Sequence, residues 1–119
     1  MPLLDTTQLA LESAMSGSMI RQSLLTNNLA NADTPNFKPE DVDFQQTLEQ
    51  AIQSGQPVQD VSFQPFTYTQ TNGPDGNGVD ADQTNAQVAE NGLLYQELTQ
   101  IAAAREGILE TAMNSGSAP

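Results

Sequence analysis

The chain has 119 residues, with 15 Asp and Glu against 3 Lys and Arg for a net charge of −12, 37% apolar residues, and neither Cys nor His. So short a sequence holds one small domain, which rules out a large multi-domain enzyme; without Cys or His there is no disulfide, thiolate nucleophile, imidazole acid or base, or ordinary zinc site. The acidity excludes a nucleic-acid binder, because phosphates need basic partners and only Arg21, Lys38 and Arg105 are present, and it disfavours an anionic membrane surface.

Met1-Pro2-Leu3-Leu4-Asp5 lacks the basic and continuously apolar regions of a cleaved signal peptide, and no stretch approaches the roughly 18 apolar residues of a membrane span. Any passage out of the cytoplasm is therefore expected to occur without such a signal. From Leu4 to Asn31 the pattern predicts one long amphipathic helix. Asp5 is its N-cap with Gln8 three residues on, Leu4 and Leu9 form a hydrophobic staple, and Leu4, Leu11, Leu25 and Ala32 recur at sevens. Gly17, an internal glycine, marks a close neighbour or a weak point. Pro35 is the predicted stop, since it pushes Thr34 out of helical geometry.

Asn36 to Gly78 is linker-like, with four Pro, several Gly and many polar residues. Within it Val42, Phe44 and Leu48 suit a short turn of helix. Val61, Phe63, Phe66 and Tyr68 alternate like a strand that Pro65 interrupts, an edge or a loose hairpin. The run Asn72 to Gly78 is a dense turn cluster. A second long helix is predicted from about Asp82 to Asn114, capped by Asp80 or Asp82, with Gly116 just past its end.

The expected fold is mainly α: two long terminal helices forming an elongated coiled-coil hairpin, with an irregular or short-β middle segment. Residues 1-35 are the N-terminal axial helix, 36-79 the middle segment and 80-119 the C-terminal axial helix, together one assembly domain. The helix interface is expected from Leu4, Leu11, Met15, Leu25 and Leu29 on one side and Leu94, Leu98, Ile101 and Ile108 on the other. These stripes are broader than one seam, so a single copy has more apolar surface than a loose middle segment covers, and other chains must supply the rest. The opposing expectation is a middle segment that folds back over both helices to give a small monomeric bundle.

The carboxylates suggest two chemistries. Glu40, Asp41 and Asp43 offer the pair that a glycan hydrolase needs, but on a segment unsuited to holding a fixed separation. The run Asp75 to Asp82 resembles a calcium loop, yet Val79, Asp80 and Ala86 stand where an EF-hand wants a fifth-position Asp or Asn, a Gly and a Glu. A solvated acidic run and a helix cap are the plainer readings.

Asn27, Asn28 and Asn31 are more informative, because a plain helix stop needs fewer such residues. Thr26-Asn27-Asn28-Leu29-Ala30-Asn31-Ala32-Asp33-Thr34-Pro35-Asn36-Phe37 resembles the N-terminal signature of the axial rod and hook proteins of the bacterial flagellum, A-N-N-x-A-N-x-x-T-P-x-[FY], departing from it only at Thr26. Lys38 to Phe44, Gly76 to Asp80 and Ala89 to Gln96 look like the proximal rod family within that group, the B-type rod subunits. The likeness is weakest from Ile52 to Asn72. It marks Asn27, Asn28, Ala30, Asn31, Thr34, Pro35, Phe37, Asn91 and Tyr95 as signature or assembly positions. What it implies is a structural subunit of the basal body, assembled into a torque-transmitting, protein-conducting tube, with no catalysis, metal or cofactor.

The partners it implies are other copies, other rod proteins, a small rod adaptor protein, the membrane ring and the export gate, with no nucleic acid. It also implies passage unfolded through the type III export apparatus to the periplasmic rod without signal cleavage. Phe44 and Leu48 match the export-gate pattern of an aromatic followed four residues later by an apolar residue, a pair that suits local packing equally well. The alternative is a small secreted helical-hairpin protein acting as a soluble dimer; the Trp-x-Gly turn common in such chains is absent, since there is no Trp.

Overall fold

The structure, a computed structural model, describes residues 5–117 and is mainly helical. Helix α1 spans Thr6–Ala30, strand β1 Glu40–Asp41, helix α2 Phe44–Ser54, a single 3₁₀ turn Val58–Asp60, strand β2 Phe66–Thr67 and helix α3 Ala81–Ser117. The molecule measures 72 × 28 × 14 Å with a radius of gyration of 18.5 Å, against about 13 to 14 Å for a compact chain of this length. Its length comes from α3, whose 37 residues extend about 55 Å at the helical rise.

α1 begins where the sequence says it should. The Asp5 carboxylate accepts the Gln8 N–H at 2.8 Å, satisfying one orphan donor of the first turn, and Arg105 of α3 donates to the same carboxylate at 2.8 Å. The Gln8 N–H foremost, with desolvation opposing and the Arg105 charge adding, holds the Asp5 carboxyl below its ordinary value of 3.8. A folded pKa below the unfolded one means that this contribution is present above about pH 3.8 and lost as pH falls through the lowered folded value. In an acid titration followed by helical signal, Asp5→Asn, which keeps a capping oxygen, is expected to flatten that part of the curve. Leu4, the other half of the expected staple and an expected interface residue, lies outside the described residues.

The helix ends before Pro35 acts. Ala30 is its last residue, and the Asn31 side chain donates to the Asn27 carbonyl at 2.8 Å while its own N–H reaches the Asn27, Asn28 and Leu29 carbonyls. An asparagine able to satisfy terminal carbonyls stops the helix four residues earlier than the proline would.

The middle segment is more ordered than its composition predicts. α2 is an 11-residue helix rather than one turn, capped by Asp43, which accepts from the Gln46 N–H, and closed by Gly55 at φ 79°. Its apolar face seats Phe44 and Leu48 with Val58 in a small core, against which Leu9, Ala10 and Ala14 of α1, Val61, Phe63 and Leu94 pack. The rings of Phe44 and Phe63 meet edge to face at 6.5 Å. Burying each of these large side chains contributes about 1.5 to 3 kcal/mol, enough to fold the segment onto α1. The expected hairpin inside 61–68 does not form. Phe66–Thr67 pairs instead with Glu40–Asp41, antiparallel, in the register Glu40 to Thr67 and Asp41 to Phe66, because Pro65 has no N–H to offer a ladder.

α3 packs antiparallel on α1, as the contacts of Asp5 with Arg105, Gln8 with Ala102 and Ser18 with Asn91 require. Asp80 is the N-cap, accepting the Gln83 N–H at 3.1 Å. The helix continues through Gly116 to Ser117, so Gly116 does not terminate it.

Candidate assembly site

The signature residues fall at one end of the helix pair, where the loop after α1 meets the loop before α3. Asn28, fully buried, donates to the Glu40 carbonyl at 2.8 Å and accepts the Glu40 N–H at 3.0 Å. Its amide thus behaves as one rung of a β-ladder between a helix and an extended strand. The Asn31 carboxamide oxygen accepts the Thr34 hydroxyl at 3.1 Å. From the other loop Asn77, nearly buried, donates to the Asn31 carbonyl at 2.9 Å and to the Thr34 carbonyl at 2.5 Å, while its oxygen accepts the Val79 N–H. Gly78 donates to Phe37 O at 2.9 Å and accepts from Gln70 N–H at 2.8 Å. Asn36 adopts φ 63°, a conformation that asparagine tolerates, and donates to Asp75 O at 3.0 Å. Two separate sequence motifs, 27–37 and 76–80, therefore form one hydrogen-bonded junction.

Asn27, Ala30, Thr34 and Pro35 are exposed there, and Phe37 is half-buried. Asn91 lies farther along the seam, buried, with its amide donating to the Ser18 carbonyl and the Gln22 side chain, both at 2.8 Å. Tyr95, half-buried, lines a hollow of about 440 Å³ with Met19 and Gln22. The seam is consequently polar: Gln8, Ser18, Thr84 and Asn91 are all buried in it, with Ala102 and Leu25. The expected interface residues divide. Leu25 is fully buried, Met15 and Leu29 are half-buried, and Leu11, Leu94 and Leu98 line an apolar groove of about 490 Å³ with Ala14, Leu48 and Ile52. Ile101 and Ile108 do not enter the seam within one chain. They are 49% and 68% exposed, because the register set by Asn91 and Ala102 turns their column away from α1.

Phe44 and Leu48 are core residues in the folded chain. Four of the acidic candidates are engaged by structure. Asp41 holds Arg21 through both oxygens, at 2.9 and 3.2 Å, Asp43 and Asp80 cap helices, and Asp75 accepts the Asn77 N–H at 3.1 Å. Burial foremost, and then the Asp41 charge, pushes the Tyr68 phenol upward, with Arg21 opposing. No cluster of metal-ligating side chains occurs among the described residues, and no described helix is long and apolar enough to cross a membrane.

Sequence reasoning missed Ser18, Gln70 and Thr84, and saw Gln8 only as the capping partner of Asp5. Gln70 joins the middle segment to α3, its oxygen accepting the Asp80 N–H and the Thr84 hydroxyl at 3.0 Å each. The available signal was Thr84 seven residues before Asn91, a polar column at helical spacing.

Residues 9–38, covering most of α1 and the loop after it, match the family described as Flagella basal body rod protein. The chain is 32% identical to the flagellar basal body rod protein FlgB of Bacillus subtilis (strain 168), over 98% of its own length and 99% of that protein's. It is 34% identical to FlgB of Escherichia coli (strain K12) over 64% of this chain and 70% of that one, and 37% identical to FlgB of Aeromonas hydrophila over 70% and 74%. The chain belongs to the FlgB family of flagellar basal body rod proteins, whose members are structural proteins and not enzymes.

Proposed function

We propose that the chain builds the proximal rod of the basal body, a tube that transmits torque and conducts exported protein, with segments 1-35, 36-79 and 80-119 acting as one assembly domain. The observation that carries this is the apolar surface of α3 that its own chain leaves open. Arg105 and Glu106 already lie beside the start of α1, so residues 107–117 run beyond it, with Ile108 and Met113 more than half exposed and Leu93 and Ile101 exposed higher up the helix. Side chains left in water forfeit about 1.5 to 3 kcal/mol each, and neighbours recover it. In this reading the two long helices work as a coiled-coil hairpin against other copies and other rod proteins. The small rod adaptor protein, membrane ring and export gate are the neighbours at the membrane end, and no nucleic acid takes part.

Asn27, Asn28, Ala30, Asn31, Thr34, Pro35, Phe37, Asn91 and Tyr95 serve assembly by fixing the junction and the seam, which set the direction of the helix pair. Because Phe44 and Leu48 are buried, an export gate reads them only in an unfolded chain, in keeping with passage unfolded and without signal cleavage to the periplasmic rod.

Ile101→Asp and Ile108→Asp are expected to leave expression and thermal melting unchanged and to abolish motility, since neither side chain supports the fold of one chain. Leu94→Asp, which strikes the groove, is expected to lower both. Wild-type swarming by cells carrying the first two variants overturns the interface. A discrete dimer by sedimentation, with normal swarming, points to the soluble-hairpin alternative.

A further inference from the structure

The chain contains three Asn-Gly pairs, Asn72-Gly73, Asn77-Gly78 and Asn91-Gly92, the sequence in which an asparagine most readily loses its side-chain amide. In that reaction the glycine nitrogen gives up its proton and bonds to the asparagine Cγ, the Cγ–Nδ2 bond breaks, and ammonia leaves. Water then opens the five-membered imide to aspartate or isoaspartate. The attack needs a glycine nitrogen free of other bonds and a backbone free to bring it to Cγ.

We propose that Asn77 and Asn91 are deamidation sites of the unfolded chain that folding closes, and that Asn72, with its exposed side chain, is the pair least shielded from this modification in the folded protein. Gly78 N is committed to Phe37 O at 2.9 Å, and the Asn77 side chain is held on three backbone groups. Gly92 lies inside α3, where its N–H belongs to the helical ladder, and Asn91 is buried against Ser18 and Gln22. Gly73 N–H is also bonded, to Asn77 O at 3.2 Å, so what sets Asn72 apart is its exposed side chain, against the buried and hydrogen-bonded amides of Asn77 and Asn91.

The two closed sites are also those where conversion does most harm. At Asn77 the amide donates to two carbonyls, and a carboxylate there turns both contacts into oxygen facing oxygen. At Asn91 the loss is partial, because the Gln22 amide turns over and donates instead. A chain held unfolded in mildly alkaline conditions therefore loses its ability to form the junction, and this holds whatever the assembly partners are.

The test uses the purified full chain in mildly alkaline buffer with and without guanidinium chloride. Peptide mass spectrometry follows the one-unit mass gain and isoaspartate at each pair, and circular dichroism is recorded on the same samples. In denaturant all three pairs convert at similar rates. In buffer Asn72 converts while Asn77 and Asn91 are slowed about tenfold or more, as local structure with some stability requires. Conversion of Asn77 and Asn91 at the denatured rate in buffer overturns the proposal, as does a chain without helical signal, since the shielding fold is then absent. Asn77→Asp is expected to lose cooperative melting while Asn72→Asp melts like the parent; parental melting of Asn77→Asp overturns the claim that conversion there breaks the fold.

Discussion

Asn28→Leu is expected to destabilise the chain by about 2 to 4 kcal/mol, while Asn27→Ala one position earlier changes stability by less than about 0.5 kcal/mol. Asn28 is fully buried and pairs with both backbone groups of Glu40. Leucine keeps the volume but leaves an N–H and a carbonyl of a part-buried strand without partners, each worth about 1 to 3 kcal/mol. Losing that rung also frees β1, which carries Asp41 and its bond to Arg21. The Asn27 side chain is exposed and accepts only the longer bond from the Asn31 amide, at 3.3 Å, while the shorter one, at 2.8 Å, goes to its backbone carbonyl, which alanine keeps. Guanidinium melts of the two variants measure the difference. Equal losses would mean that the paired asparagines act together in the fold. A stable Asn27→Ala subunit that fails to assemble would place that residue in contact with a neighbour.

Helix starts were legible because a capping carboxylate and its target lie three residues apart, as at Asp5 and Asp80. Of the expected column Leu4, Leu11, Leu25 and Ala32, Leu11 and Leu25 lie on α1 and Ala32 falls past its end; the informative position was the gap. Position 18 is Ser18, and there Asn91 crosses from α3. Hydrophobic periodicity passes over a polar residue in an apolar column, although a buried asparagine is a strong specifier of register. That register decides which α3 column faces α1, and so Ile101 and Ile108 were placed in a seam that Asn91 and Ala102 occupy.

The middle segment was read in part: its short β pairing was expected, while its 11-residue helix and long-range bonds were not, for a related reason. Its Pro and Gly content signals irregular backbone, yet the bonds that order it run to residues far off in sequence: Asn28 to Glu40, Tyr68 N–H to Pro39 O, Gly78 to Phe37. No local window contains both ends of such a bond. The two signature motifs were each visible, and their joining through Asn77 was not, because the 46-residue separation between Asn31 and Asn77 is closed by the β1–β2 pairing and the bonds beside it, which form only in the folded chain.

Gly17→Ala and Gly107→Ala are expected to move stability in opposite directions, although both replace a helix-interior glycine by the best helix former. At Gly107 nothing lies within 4 Å of the added methyl, so the helix gains about 1 kcal/mol. At Gly17 the methyl would stand 2.5 Å from Phe44 Cβ and 2.9 Å from its Cγ. Those atoms belong to the root of a core side chain at the start of α2, so rotation of the ring does not relieve the contact, and the whole helix must back away. Overpacking of this kind costs about 1 to 3 kcal/mol, which offsets or outweighs the propensity gain, for a net loss of up to about 2 kcal/mol. Moving α2 also opens the groove that Leu48 and Ile52 share with Leu94 and Leu98. Gly17→Ala should therefore weaken rod assembly beyond its effect on melting, and Gly107→Ala should leave assembly intact. Thermal melts of both variants with swarming assays separate the cases. A stabilised Gly17→Ala protein would show that α2 does not seat on α1 at Phe44, and that the middle segment is held by its strand and junction bonds alone.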